Sequence, residues 1–178
     1  MAFNINDIRS QLVGGGTRPN LFQVEILNPA NGTANIKTPF LIQATTIPAA
    51  DLGVINVPYF GRLLKLAGDR RFGDWSVQVI NDEDFAIRNA MEEWSNKINR
   101  LQRNVREISR YKSTARVTQF GKDGTQLRVY EFDGIFPTVI GDIGLSWADA
   151  DSYETFPVTF AYDYWTVVDG VTGDAGGQ

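Results

Sequence analysis

Side chains that do chemistry are scarce in this chain, and the scarcity excludes whole classes of activity. Its 178 residues contain no histidine and no cysteine. Without histidine the commonest general base and the commonest transition-metal ligand are missing, and a Ser-His-Asp triad is impossible. Without cysteine there is no thiolate nucleophile, thiolate metal site or disulfide framework. Carboxylates, lysines and glycine-rich turns remain. Asp82, Glu83 and Asp84 form one acidic cluster. The start of a helix accounts for it, because the first turn carries a partial positive charge that favours acids. Asp149 and Asp151 flank Ala150 and could hold a hard cation weakly, but the spacing of a calcium loop does not follow. Two carboxylates could serve a glycosidase, yet no pair is set apart for that role. Gly14, Gly15 and Gly16 lack the Gly-Lys-Ser or Gly-Lys-Thr ending of a phosphate loop. The run Gly121-Lys122-Asp123-Gly124 separates two strand patterns and reads as a hairpin turn. The expectation is a structural or binding protein with no catalytic residue, no cofactor and no metal.

Charge points the same way. Lys97, Arg100, Arg103, Arg106, Arg110, Lys112 and Arg116 are opposed only by Glu107. From Val139 onward come Asp142, Asp149, Asp151, Glu154, Asp163, Asp169 and Asp174, with no Lys or Arg among them. Such a split suits a solvated surface, head-to-tail pairing of copies, or a basic patch for nucleic acid. The net charge of -4 argues against a generally basic nucleic-acid binder. Tyr111 alone interleaves the basic stretch, too little for a stacking platform. Arg103, Arg106 and Arg110 on one side, and Asp149 and Asp151 on the other, are therefore candidate interface residues.

The elements that must position these groups are mainly strands. A composition 43% hydrophobic and 21% charged is that of a globular chain able to bury a core. Residues 20–27 alternate, with Phe22, Val24 and Ile26 on one face. Residues 28–35 read as a loop around Pro29 and Gly32, and 36–47 as a second strand closed by Pro48. Residues 53–66 read as two short strands broken near Pro58 to Gly61, with a turn at Gly68 and Asp69. Trp75, Val77 and Val79 mark a strand over 72–80. One helix is expected over 82–105, N-capped by Asn81, with Ile87, Met91, Trp94, Ile98, Leu101 and Val105 as its apolar stripe. Strands follow over 113–120 and 126–133. Gly134 and Pro137 interrupt the next apolar run. A long aromatic strand over 154–168 sets Phe156, Val158, Phe160, Tyr162 and Tyr164 on one face.

This order predicts a mainly β fold, an antiparallel β-barrel or sandwich with one flanking α-helix. Residues 1–17 form an arm in which Ile5, Ile8 and Leu12 make a short apolar stripe ended by glycines. Residues 18–168 form the β domain, and 169–178 a loose tail. The opening residues carry no basic-then-apolar signal, so synthesis in the cytoplasm is expected. No apolar run approaches the ~18 residues of a spanning helix.

Four stretches carry a resemblance. They are Arg18-Pro-Asn-Leu-Phe-Gln-Val-Glu25; Ala67-Gly-Asp-Arg70 with Phe72, Asp74 and Trp75; Val79-Ile-Asn-Asp-Glu83; and Glu154-Thr-Phe156 with Val158-Thr159 and Asp163-Tyr-Trp165. In this order and spacing they resemble the tail-tube proteins of contractile-tailed, myovirus-type phages. The resemblance implies a virion protein of the phage tail. Six subunits would form a ring whose strands line a channel, and rings would stack into a tube that delivers DNA. The implied partners are further copies of the chain, a sheath protein, and baseplate and tail-terminator proteins; DNA would pass without specific binding. Asp69 and Arg70 would fix a turn or pair with a neighbour. Tyr59 and Phe60, beside Pro58 and Gly61, would touch the adjacent subunit. The arm, the 28–35 loop and the tail look longer than the family pattern. The alternatives are a tube or baseplate component of a related contractile injection system, and a monomeric β-sandwich that binds a ligand.

Overall fold

The computed structural model describes residues 5–100 and 111–175. β1 (Phe22–Ile26) pairs antiparallel with β6 (Ser113–Phe120), and β6 with β7 (Gln126–Ile140). The turn between β6 and β7 is the expected one. Gly121 N–H donates to Thr125 O at 2.8 Å, and the Asp123 carboxylate accepts from the Thr125 hydroxyl and N–H. On its other side β7 pairs first with β9 (Tyr164–Asp169) and then with β8 (Thr155–Ala161). Beyond β8 lie β5 (Trp75–Ile80) and β2 (Ile42–Thr45), giving the order β1-β6-β7-β8-β5-β2 with β9 beside β7.

The two halves of this sheet face each other across one core. Val24, Ile26, Ala115, Val117 and Phe132 come from one half; Trp75, Val77, Val79, Phe156, Val158 and Phe160 come from the other. Trp75 of β5 stacks on Phe132 of β7 with centroids 4.6 Å apart. These residues are the inward positions of alternating strands, so the sandwich follows directly from period-two patterning. The flanking helix α3 (Ala86–Ile98) buries Ile87, Ala90, Met91 and Trp94 against it. Trp94 Nε1 donates to Tyr111 O at 2.8 Å, tying the helix to the strand that follows. Arg88 lies over the Phe156 ring and donates to Gly141 O.

Several local expectations are corrected. Residues 36–47 are not one strand: α2 (Gly32–Leu41) precedes β2. Buried Asn28 accepts from Ala30 N–H and donates to Ala90 O, while Asn35 accepts from Asn28 N–H. This turn starts the helix, and buried Ala34 and Thr38 sit four apart on its inner side. Pro39 offers no N–H to Asn35 O, and the Thr38 hydroxyl donates there instead at 3.4 Å.

Asn81 does not cap α3. Its side chain donates to Glu154 at 2.7 Å, and the helix begins five residues later, where Asp84 accepts from Ala86 N–H at 3.0 Å. Asp82 and Asp84 hold Lys37 of α2. The Lys37 contact is the main reason the Asp84 carboxyl sits below its ordinary range, and Lys37 is raised in return. Leu101 and Val105 lie outside the described residues.

Gly68 and Asp69 form no turn. They lie inside β4 (Arg62–Phe72), which pairs with β3 (Ala50–Tyr59) in a separate hairpin. A bulge between Leu52 and Val54 brings Gly53 against Gly68, where a Cβ would meet backbone at 3.1 Å. The 154–168 run is two strands, because β8 and β9 bend at Asp163 where β7 bends at Gly134. Asp163 N–H donates to Asp133 O at 2.9 Å, and a Cβ at Gly134 would collide with the Asp163 carboxylate. Both strands switch face there. Trp165 packs on the core and Val167 is buried, whereas Tyr164 faces outward. β7 accordingly runs through Gly134 and Pro137 without interruption.

Candidate assembly surface

The β3–β4 hairpin contains no buried residue. Its cross-strand pairs include Ile55 with Leu66, Val57 with Leu64 and Tyr59 with Arg62. Alternation places Ile55, Val57, Tyr59, Leu64 and Leu66 on one side of the ribbon, all exposed. The opposite side mixes Val54, Pro58 and Leu63 with Asn56 and Lys65. Two strands alone are marginal in water, and a contiguous apolar face this size marks an interaction surface. At ~3.3 Å per residue, 10-residue β3 projects roughly 30 Å.

The tip is formed by Tyr59, Phe60, Gly61 and Arg62. Phe60 and Gly61 both have positive φ, 43° and 79°. That suits a two-residue primed turn, which favours Asn or Gly and disfavours a bulky side chain at the first position. Phe60 is 91% exposed and meets Tyr59 edge to face at 4.6 Å.

The candidate residues divide by element. Tyr59, Phe60, Asp69 and Arg70 all lie on this hairpin, the first two at the tip and the other two near the root opposite Leu52. Among the described residues, Asp69 and Arg70 do not form an ion pair. Asp149 and Asp151 occupy a separate exposed loop between β7 and β8, which also displays Leu145, Trp147 and Tyr153. Arg103, Arg106 and Arg110 fall outside the described residues. Other members of the basic stretch have partners within the subunit. Lys112 pairs with Asp163 at 2.6 Å, which raises the lysine, and Arg116 pairs with Glu131 at 2.5 Å. Lys97 donates to Ala30 O at 3.3 Å.

Sequence reasoning missed the ribbon's apolar face. Its signal was two apolar runs on either side of Pro58-Tyr59-Phe60-Gly61 with little polar alternation, which the supposed turn at Gly68 concealed.

The outer faces of the sandwich also differ. Beside β5 and β8 the outward residues are Ser76, Gln78, Ile80, Thr155, Pro157 and Thr159, with no charge. Beside β1, β6, β7 and β9 they include Glu25, Arg116, Glu131, Asp133 and Asp169. Asp133 accepts from the Tyr164 hydroxyl, the main cause of that phenol's raised pKa. No group of three or more metal-ligating side chains occurs among the described residues, and no helix there is long and apolar enough to cross a membrane.

Comparison with known proteins gives this architecture a family. Residues 17–168 match the family described as phage tail tube protein. The tail tube protein gp19 of Enterobacteria phage T4 is 35% identical over 155 residues, covering 85% of this chain and 92% of that one. The tail tube protein of Serratia phage KSP90 is 27% identical over 165 residues, covering 89% and 93%. A chain in the anti-feeding prophage baseplate superimposes with a TM-score of 0.65 at 15% identity, covering 89% of this chain and 98% of that one. A chain in the sheath-tube complex of an extracellular contractile injection system gives 0.57 at 15%, covering 94% and 100%. The last two are likenesses of fold. The chain belongs to the phage tail tube protein family of myovirus-type phages, structural components of the viral tail and not enzymes.

Proposed function

We propose that this chain is the repeating subunit of the inner tail tube, closing into hexameric rings that stack coaxially and pass phage DNA through their lumen. The observation that carries the reading is the β3–β4 hairpin, roughly 30 Å long, in which every large apolar side chain from Leu52 to Leu66 is exposed and only Phe72 at the root packs on the sandwich. Left in water, such a surface invites aggregation. Covered by the next copy it becomes a specific heterologous contact, and repetition of that contact closes rings or extends a filament. Tyr59, Phe60, Asp69 and Arg70 contribute to this interface from the hairpin. Asp149 and Asp151, with Arg103, Arg106 and Arg110, supply charged contacts between copies or to the tail sheath. Baseplate and tail-terminator proteins meet the ends of the tube. The subunit is made in the host cytoplasm and functions in the virion.

Free passage of DNA requires a wall that does not grip phosphate. The outward strand residues of the sandwich suit this: one half is uncharged, and on the other the Arg116 guanidinium is paired with Glu131.

Likeness to a chain of the anti-feeding prophage baseplate favours a second reading, that the chain serves at an end of a tube. Copy number in assembled tails separates the two, since an end component is present in a few rings and a tube subunit in many. Negative-stain microscopy of the purified protein over a concentration series tests the main proposal. Hollow tubes or sixfold rings of uniform width are expected. A strictly monomeric species at the highest concentration would overturn it.

A further inference from the structure

The hairpin tip and one surface cavity fit as knob and hole. The cavity has a volume of about 510 Å³ and lies where the N-terminal arm crosses the β6–β7 turn. Val13, Phe120 and Leu127 line it with apolar surface, and the charged Arg18, Lys122 and Asp123 line it as well. Lys122 Nζ donates to Gly14 O at 2.8 Å and so holds the arm over the cavity. Its size is within the roughly 300–1,000 Å³ typical of pockets that enclose small ligands. The short helix α1 (Ile5–Gln11) buries none of its residues, and Val13 beside the cavity is 93% exposed.

We propose that the Tyr59–Phe60 pair of one copy inserts into this cavity of a neighbouring copy. The inference rests on the tube-subunit reading and deepens it by naming the receptor.

Three observations select a second copy as the occupant. First, Phe60 holds a positive φ of 43° where glycine or asparagine would be relaxed. A bulky residue kept there at conformational cost points to a contact that offsets the cost. Second, the knob and the hole match in chemistry. Two edge-to-face rings present an apolar wedge, and cationic Arg18 and Lys122 are part of the cavity lining, where ring faces attract positive charge. Third, each chain carries one knob and one hole on different elements, so every copy can donate and receive, as a repeating heterologous contact requires.

The absence of cysteine gives a clean test by disulfide trapping. A chain carrying both Val13→Cys and Phe60→Cys is assembled and then oxidised. A ladder of covalent multimers is expected, absent from either single variant. If tubes form but no ladder appears, or if the bond closes within one chain, this docking is wrong while the tube reading stands. If the unaltered protein forms neither rings nor tubes, the tube reading itself fails and the docking falls with it.

A second variant guards against misfolding. Phe60→Gly relieves the turn, so the hairpin and the thermal transition of the subunit are retained. The concentration at which assembly begins should rise at least about tenfold, as expected on removing a central aromatic anchor. Assembly of Phe60→Gly at the original concentration would overturn the proposal.

Discussion

The sandwich and the β3–β4 hairpin are built by the same rule and finish oppositely. Both are antiparallel strands rich in aliphatic and aromatic side chains. In the sandwich, Trp75, Phe132, Phe156, Val158 and Phe160 have no more than traces of exposed surface. In the hairpin, Ile55, Leu64, Leu66 and Tyr59 remain about half exposed or more. Strand patterning therefore determines which side of a ribbon is apolar, but not what covers it. Within the subunit a second layer covers the sandwich. For the hairpin the cover lies outside the subunit, and we assign it to another copy. On the proposed reading, one region carries the stability of the monomer and the other its association.

Four measurements sharpen or break this division. The largest effect belongs to the core. Phe132→Ala removes the ring stacked on Trp75 and should cost about 3–5 kcal/mol in denaturant unfolding. A loss below ~1 kcal/mol would mean the sandwich is not the stability centre. Next, Thr45→Val deletes the acceptor for Trp75 Nε1, now bonded at 2.9 Å. Leaving that buried N–H unsatisfied should cost about 1–3 kcal/mol, read in the same assay.

The third effect is alkaline and smaller. Burial, aided by the charge of Asp74, pushes the Tyr162 phenol up from 10.0 to about 12. A raised folded pKa means that the unfolded chain releases this proton first. Stability is therefore full below pH 10 and falls as pH rises toward about 12. Tyr162→Phe should flatten that decline, and an unchanged alkaline limb would show that another group causes it. The smallest effect on the subunit is expected in the hairpin. Ile55→Asp with Leu64→Asp should shift monomer stability by no more than about 0.5 kcal/mol while abolishing tubes in micrographs. A large loss of monomer stability would show that the ribbon packs on its own subunit, and the contrast would collapse.

Much of the architecture was legible in the residues. Period-two alternation in 22–26, 75–79, 113–120 and 155–160 located core strands and their inward faces. The Ile87, Met91, Trp94 and Ile98 spacing located the helix, and Gly121 to Gly124 located the β6–β7 turn. Misreadings arose where a local rule met a tertiary partner. Residues 28–35 look like a loop and 36–41 like the start of a strand, yet Asn28 anchors a turn to Ala90 O on α3 and sends the chain into a helix over Gly32–Leu41. Asn81 looks like a cap, yet Glu154 takes its side chain, the helix starts after Phe85, and Asp84 accepts from the Ala86 N–H. Gly68 looks like a turn, yet it permits a close approach to Gly53 across a bulge. Tyr162 keeps the expected core side, but Tyr164 leaves it because two strands bend together at Gly134 and Asp163. That bend depends on Gly134 and Asp163, far apart in the chain and beyond any local pattern.

The candidate site was half legible. Tyr59 and Phe60 stood out beside Pro58 and Gly61 as a turn-borne aromatic pair. Their setting at the end of a long ribbon with no buried residue did not, because exposure is a property of what fails to pack. From the residues alone came the absence of histidine and cysteine chemistry, the β class, the flanking helix and the family pattern. Those follow from side-chain type and short-range period, which survive in any conformation. Only tertiary structure decided which apolar strands found a covering layer, which charges paired within the subunit, and that a cavity lies beneath the arm. Each of these is settled by contacts between distant segments, and local sequence carries no record of them.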